Sequence, residues 1–303
     1  MEADQPSPVG WPSAPAPGLA ARPLERPRVR VVHVLLFAAT ALTTTVSGAL
    51  ASDVDPFSSP RALMRGLPYA ATLLGILFLH ESGHYLMCLR YRISASLPYF
   101  LPGPPLPIGT FGAFIRIRSR FPDRRALFDV GAAGPWAGFV VALAAYGIGL
   151  AWSTEVSAPS LSHGWLLGDS LLTAWLAHVI VRGDSTNLVL HPVAYAGWLG
   201  LFVTSLNLLP AGQLDGGHVL YATVGRGTPR IAALLIAFLV WLGVRGWPGW
   251  LVWAVAITVL VSLGHPPTED DRRPLDLRRQ LAALATFVIF VITFVAEPFK
   301  LLP

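Results

Sequence analysis

The sequence predicts an all-α polytopic membrane protein of about six to seven transmembrane helices, with a small membrane-associated β element. Three observations carry this expectation. Of 303 residues, 53% are hydrophobic and only 13% charged, against about 25% charged in a soluble domain. Several apolar runs approach or exceed the ~20 residues that a spanning helix needs. The 10 Trp, 15 Phe and 7 Tyr suit the aromatic belts that form at membrane interfaces.

Residues 1–30 are rich in Pro and Ala with scattered Arg, and they lack the apolar core of a signal peptide. They read as a disordered segment. The first span runs from about Val31 to Ala51 and the second from about Pro68 to Leu89, interrupted by polar residues at 80–84. Pro98, Pro102, Pro104, Pro105 and Pro107 then rule out a regular helix. The stretch after them alternates, with Phe114, Arg116 and Arg118 opposite Ala113, Ile115 and Ile117, which suits a strand at the membrane surface. A third span covers about Ala126 to Trp152. In the 153–191 loop, Leu171 to Val181 is long enough for a surface or re-entrant helix. A fourth span, about Pro192 to Leu209, ends in a polar, Gly-rich turn from Pro210 to His218. Two tight spans follow near Ile231–Val244 and Gly249–Leu263, then a charged link, Glu269 to Arg279, and a last span near Leu281–Val295.

The net charge is +5, but the Arg residues sit in short clusters between apolar runs, the pattern that fixes membrane orientation. That argues against nucleic-acid binding. Arg22, Arg26, Arg28 and Arg30 precede the first span and predict a cytoplasmic N-terminus. With the sides alternating over seven spans, the clusters at 90–92, 116–125, 226–230 and 272–279 fall inside, while Arg61, Arg65, Arg182, Arg245 and Lys300 fall outside. The same alternation puts the inner ends of spans two and four, with their polar motifs 80–84 and 207–218, on one side. The single cysteine, Cys88, excludes an internal disulfide and a Cys-based metal site.

His80 and His84 are four apart on a predicted helix and share one face. Two imidazoles so placed can bind one Zn²⁺ at ~2.0–2.1 Å per bond. Glu81 is one position on, free to take a proton from a zinc-bound water whose pKa the ion lowers to about 7. A chance His-Glu-x-x-His in this composition is expected about 0.004 times, so accident is a poor explanation. A His-Glu-His set at membrane depth is costly and usually functional. A catalytic zinc needs a third protein ligand. Asp215 is the best candidate, since it follows an apolar span in a turn where Gly212, Gly216 and Gly217 let the backbone bend. His218 competes for the role, as a ligand or as a partner of one, and Asp215 could also be no more than a turn residue.

These residues resemble the site-2 protease family of intramembrane zinc metalloproteases, peptidase family M50, in its compact branch without PDZ or CBS domains. Three motifs carry the resemblance: His80–His84 in an apolar helix; Asn207-Leu208-Leu209-Pro210 followed by Leu214-Asp215-Gly216; and Gly131-Ala132-Ala133-Gly134-Pro135-Trp136-Ala137-Gly138. It covers about residues 68–220. It implies one Zn²⁺ per chain held by His80, His84 and Asp215, with Glu81 as catalytic base and acid. Asn207 matches an Asn that holds the substrate backbone or the oxyanion, or else caps its helix. Gly134, Pro135 and Gly138 look like packing residues. Gly109–Arg118 resembles the family's β element, in which Gly109, Thr110, Phe111 and Gly112 would bind an unwound substrate through backbone pairing. His265-Pro266-Pro267-Thr268 has no assigned role.

The sequence therefore leads to an intramembrane zinc endopeptidase acting on transmembrane protein substrates in a lipid bilayer, in a bacterial inner membrane with the active-site side cytoplasmic. The expected organisation is a segment 1–30, a protease domain 31–265 and a charged link with a final helix at 266–303. Two alternatives use the same polar residues: a membrane transporter or metal-handling protein, and an inactive scaffold. The first predicts more ionisable groups within the spans than are seen, and the second has no need of Glu81.

Overall fold

The computed structural model describes residues 28–155, 165–181, 188–262 and 268–301. The expected disordered segment lies almost wholly outside these, as do His265, Pro266 and Pro267. In chain order the elements are α1 (Val31–Ala51), α2 (Pro60–Met64), α3 (Leu67–Arg90), β1 (Tyr99–Pro102), β2 (Thr110–Phe114), α4 (Arg124–Ala151), β3 (Thr154–Glu155), β4 (Trp165–Leu167) and α5 (Leu171–Ile180). There follow β5 (Leu188–Val189), α6 (Pro192–Asn207), α7 (Asp215–Val224), a 3₁₀ turn, α8 (Thr228–Arg245), α9 (Gly249–Ser262), α10 (Leu277–Thr293) and β6 (Phe299–Leu301). Every predicted span is a helix. Among the described residues four helical stretches are long and apolar enough to cross a membrane: Val31–Ala51, Pro60–Arg90, Arg124–Ala151 and Thr228–Arg245. The other three, α6, α9 and α10, have 16, 14 and 17 residues, short of the ~20 that a straight span needs.

Helices α3, α4 and α6 form the centre of the bundle. Lipid tails give packed helices no hydrophobic drive to associate, so close contact depends on small residues. The α4–α6 seam shows this. A Cβ on Gly197 would stand 2.4 Å from the Tyr146 backbone N, and one on Gly149 2.2 Å from that of Ala194. Helix α10 packs against α4, α5, α6 and α7, and β6 pairs with β4, so the C-terminal segment is built into the bundle.

Two apolar clusters leave a polar layer between them. The larger contains Leu73, Ile76 and Leu77 of α3, Ala142 and Tyr146 of α4, Trp198 and Phe202 of α6, and Trp250 and Ile257 of α9. The smaller contains Cys88 at the far end of α3, Val130 and Ala132 of α4, and Val219 and Ala222 of α7. Along α3 the buried positions from Leu73 onward run Leu73, Leu74, Ile76, Leu77, His80, Glu81, His84, Cys88, one stripe at helical spacing. The His-Glu-His set lies within that stripe, between the clusters.

Two local expectations needed correction. The strand expected from the alternation over 113–118 lies earlier, as β2, with only an isolated bridge at Ile117 beyond it, and its partner β1 ends in the proline-rich stretch, with Tyr99 opposite Phe114, Phe100 opposite Ala113 and Leu101 opposite Gly112. Pro102 closes β1, a position where a missing N–H is tolerated. The predicted turn 210–218 ends early, because Asp215 opens α7. The turn between β1 and β2 is pinned from three sides: Thr43 of α1 donates to the Gly109 carbonyl at 2.7 Å, Tyr69 of α3 to Ile108 at 2.8 Å, and Tyr195 of α6 to Pro107 at 3.1 Å.

Candidate metal centre

His80 and His84 come to one face of α3 because four residues are close to one helical turn. Their Nε2 atoms are 3.1 Å apart. Asp215, the first residue of α7, brings Oδ2 to 3.3 Å from each of them. A tetrahedral ion with bonds of 2.0–2.1 Å separates its donors by about 3.3–3.4 Å, so this triangle suits such an ion. Two imidazoles and a carboxylate are a recurrent donor set for catalytic zinc. Among the described residues it is also the one group of three or more His, Cys, Asp or Glu side chains gathered closely enough to hold a metal.

His84 is oriented by α4. Its Nδ1 lies 2.7 Å from the Val130 carbonyl. A carbonyl only accepts, so Nδ1 carries the proton and Nε2 keeps its lone pair free for a metal. Pro135 sits inside α4, where it lacks an N–H and crowds the carbonyl four residues back, at Gly131.

The glycine-rich start of α4 has a specific use here. A Cβ on Gly134 would lie 2.1 Å from His84 Nε2, and one on Gly138 3.0 Å from His80 Nδ1. On the facing helix, a Cβ on Gly83 would be 2.4 Å from the Ala133 carbonyl oxygen. Only backbone without side chains lets α4 come this close to the two rings. The glycines around Asp215 act similarly. Gly212 has a φ of +57°, a left-handed value that favours glycine. Gly216 is helical, and a Cβ there would strike the Leu208 carbonyl at 2.0 Å. The loop before α7 therefore folds over its first turn and fixes Asp215.

The remaining candidates are placed as follows. Glu81 is buried at 5% exposure, beside the Ile115 backbone just past β2. Asn207, the last residue of α6, puts Nδ2 3.4 Å from His80 Nε2. His218 stands outside the donor triangle, with its ring 5.9 Å from that of Phe121. Gly109 and Thr110 spend polar groups on internal contacts, the Gly109 carbonyl on Thr43 and the Thr110 hydroxyl on Leu101. The Gly112 N–H bonds to the Thr110 hydroxyl at 2.9 Å. Phe111 has no partner in the β1–β2 register and is 74% exposed. Ile115 and Val130 were not singled out from sequence, because backbone groups at long sequence separation leave no mark in residue type.

Residues 68–242 match the profile of peptidase family M50. The chain belongs to peptidase family M50. The family segment contains α3, α4, α6 and α7, and with them all three donors and Glu81. Similar proteins include probable zinc metalloprotease EGY1, chloroplastic, of Arabidopsis thaliana, 32% identical over 235 residues, covering 75% of this chain and 42% of the relative. Probable zinc metalloprotease EGY2, chloroplastic, of the same plant is 34% identical over 197 residues, 63% of this chain and 35% of the relative. Probable zinc metalloprotease EGY3, chloroplastic, of Oryza sativa subsp. indica is 28% identical over 282 residues, 84% of this chain and 47% of the relative. The chain spans less than half the length of each of these family members.

Proposed function

We propose that this M50 chain is an intramembrane zinc endopeptidase that hydrolyses peptide bonds of membrane-spanning protein substrates. One observation carries the reading: two imidazoles and a carboxylate converge at 3.1–3.3 Å beside a buried glutamate, inside a helical membrane bundle. His80, His84 and Asp215 would hold one Zn²⁺ per chain, and a bound ion would supply Lewis-acid polarisation and lower the pKa of a water to about 7.

The rest of the chemistry belongs to the protein's own residues. Glu81 takes the proton from the attacking water and returns it to the departing amine. Asn207, beside His80, offers its amide N–H to the substrate carbonyl or backbone. A peptide bond in a helix is shielded by its own hydrogen bonds, so the substrate must be extended before attack. The strand around the exposed Phe111, which leads on to the Ile115 backbone beside Glu81, would supply replacement backbone partners. The distribution of arginine supports a cytoplasmic N-terminus and a metal centre near the cytoplasmic side of a bacterial inner membrane. The protease domain runs over 31–265, followed by the link and final helix of 266–303.

Glu81→Gln tests the mechanism. The variant should retain one zinc per chain and lose cleavage of a single-span substrate by a factor on the order of 10² or more. Cleavage at the wild-type rate would falsify the role of Glu81. Wild-type protein without stoichiometric zinc, and with activity indifferent to chelator, would favour the transport reading instead.

A further inference from the structure

We propose that Arg279, at the start of α10, is a positioning residue for the metal centre, acting through Asp129 on the His84 imidazole. The proposal rests on the reading of His80, His84 and Asp215 as metal ligands. Arg279 lies outside the segment 68–242 that matches the family.

The contacts form a chain. Arg279 grips Asp129 of α4 with two bonds, Nε to Oδ1 at 2.8 Å and Nη2 to Oδ2 at 2.7 Å. The Tyr91 hydroxyl, just past α3, donates to the same Oδ2, and Arg279 Nη2 lies 3.1 Å from that hydroxyl. The third guanidinium nitrogen, Nη1, bonds to Asp276, which also caps α10 by accepting the Arg279 backbone N–H at 3.1 Å. Asp129 immediately precedes Val130, whose carbonyl accepts a hydrogen bond from His84 Nδ1. Tyr91 continues the helix that carries His84. One guanidinium thus joins both sides of the hydrogen bond that orients His84.

The arrangement is mostly buried: the side chains of Arg279 and Asp129 are 26% and 18% exposed. A planar fork on a carboxylate fixes direction as well as distance, and a lysine cannot reproduce it. Displacing Asp129 displaces the Val130 carbonyl one residue on, and with it the ring. A second bond joins the same two helices without touching Val130: Trp136 Nε1 to Thr286 Oγ1 at 2.9 Å. It separates the effect of Arg279 from that of merely docking α10.

The test uses the purified full chain in detergent as wild type, Arg279→Ala, Arg279→Lys, Asp129→Asn and Trp136→Phe. Zinc affinity is measured by chelator competition, coordination by the absorption spectrum of the Co²⁺-substituted protein, and stability by Tm. Arg279→Ala and Asp129→Asn should each weaken zinc about 10-fold and alter the Co²⁺ spectrum. Arg279→Lys should fail to restore either, whereas Trp136→Phe should lower Tm with zinc affinity and spectrum unchanged. A folded Arg279→Ala with wild-type zinc affinity and spectrum overturns the proposal, and so does Trp136→Phe matching its loss of affinity. If Arg279→Ala does not fold, Asp129→Asn decides by the same two readings. Wild-type protein that binds no zinc defeats the metal-centre reading itself, a result distinct from all of these.

Discussion

Gly134 and Gly138 lie four residues apart on α4 and face His84 and His80 respectively, yet the space left to each differs. A methyl group at 134 would overlap the donor nitrogen of His84, while at 138 it would only touch the ring of His80, at 2.1 Å and 3.0 Å. Gly134→Ala should therefore weaken zinc binding by on the order of 10-fold or more, as loss of a group that orients a ligand does. Gly138→Ala should have a smaller effect, because a neighbour at that distance can give by a few tenths of an ångström. Chelator competition on both variants checks the order, and a reversed or equal pair would refute this account of the glycines. At this scale the sequence was informative where residue type carries the chemistry. His80, Glu81, His84 and Asp215 could be named because imidazoles and carboxylates are rare in apolar runs. Position after an apolar span favoured Asp215 over His218, and the family motif strengthened the choice. The Val130 carbonyl could not be named, because any residue supplies one.

Among the elements, the β1–β2 hairpin carries the clearest separation of roles. Its turn is anchored to α1, α3 and α6, whereas Phe111 is left out of the ladder and exposed. Phe111→Pro removes the backbone N–H of the residue that has no partner in the β1–β2 register. It should reduce cleavage of a membrane-spanning substrate several-fold while leaving zinc content intact, and unchanged cleavage would count against substrate pairing at this edge. The long helices were legible almost to the residue: α1 is Val31–Ala51 as expected, and α3 and α4 differ from expectation by a residue or two at each end. Long apolar runs bounded by Arg leave few alternatives. Two elements were hidden. β1 was masked by neighbouring prolines, and α7 by Gly212, Gly216 and Gly217, which read as a turn on propensity; Gly216 and Gly217 are required by the loop carbonyls packed against them, and Gly212 has a left-handed φ. In both cases tertiary contact overrides local preference.

Over the whole molecule, a metal at His80, His84 and Asp215 would tie α3 to α7, with α4 between them holding His84. Binding energy would then appear as stability of the bundle. With free zinc 100-fold above the dissociation constant, the folded state gains about 2.7 kcal/mol. Tm should rise on adding zinc to chelator-stripped protein, equally in wild type and Glu81→Gln, and not at all in the His80→Ala, His84→Ala double variant. A shift in the double variant would place the ion elsewhere. The number of helices crossing the bilayer was the least legible property at this scale. α6, α9 and α10 are apolar but short, and composition does not say how a short helix sits against its longer neighbours.

The distance along the chain between α3 and α7 also bears on biosynthesis. A ribosome delivers His80, Glu81 and His84 to the membrane early, and Asp215 only after α4 and α6 have followed. Arg279 comes later still. While the nascent chain is being inserted, the proposed metal site would be short of one ligand. The order of synthesis would keep the proposed hydrolytic centre incomplete until α4 and α6 are in place.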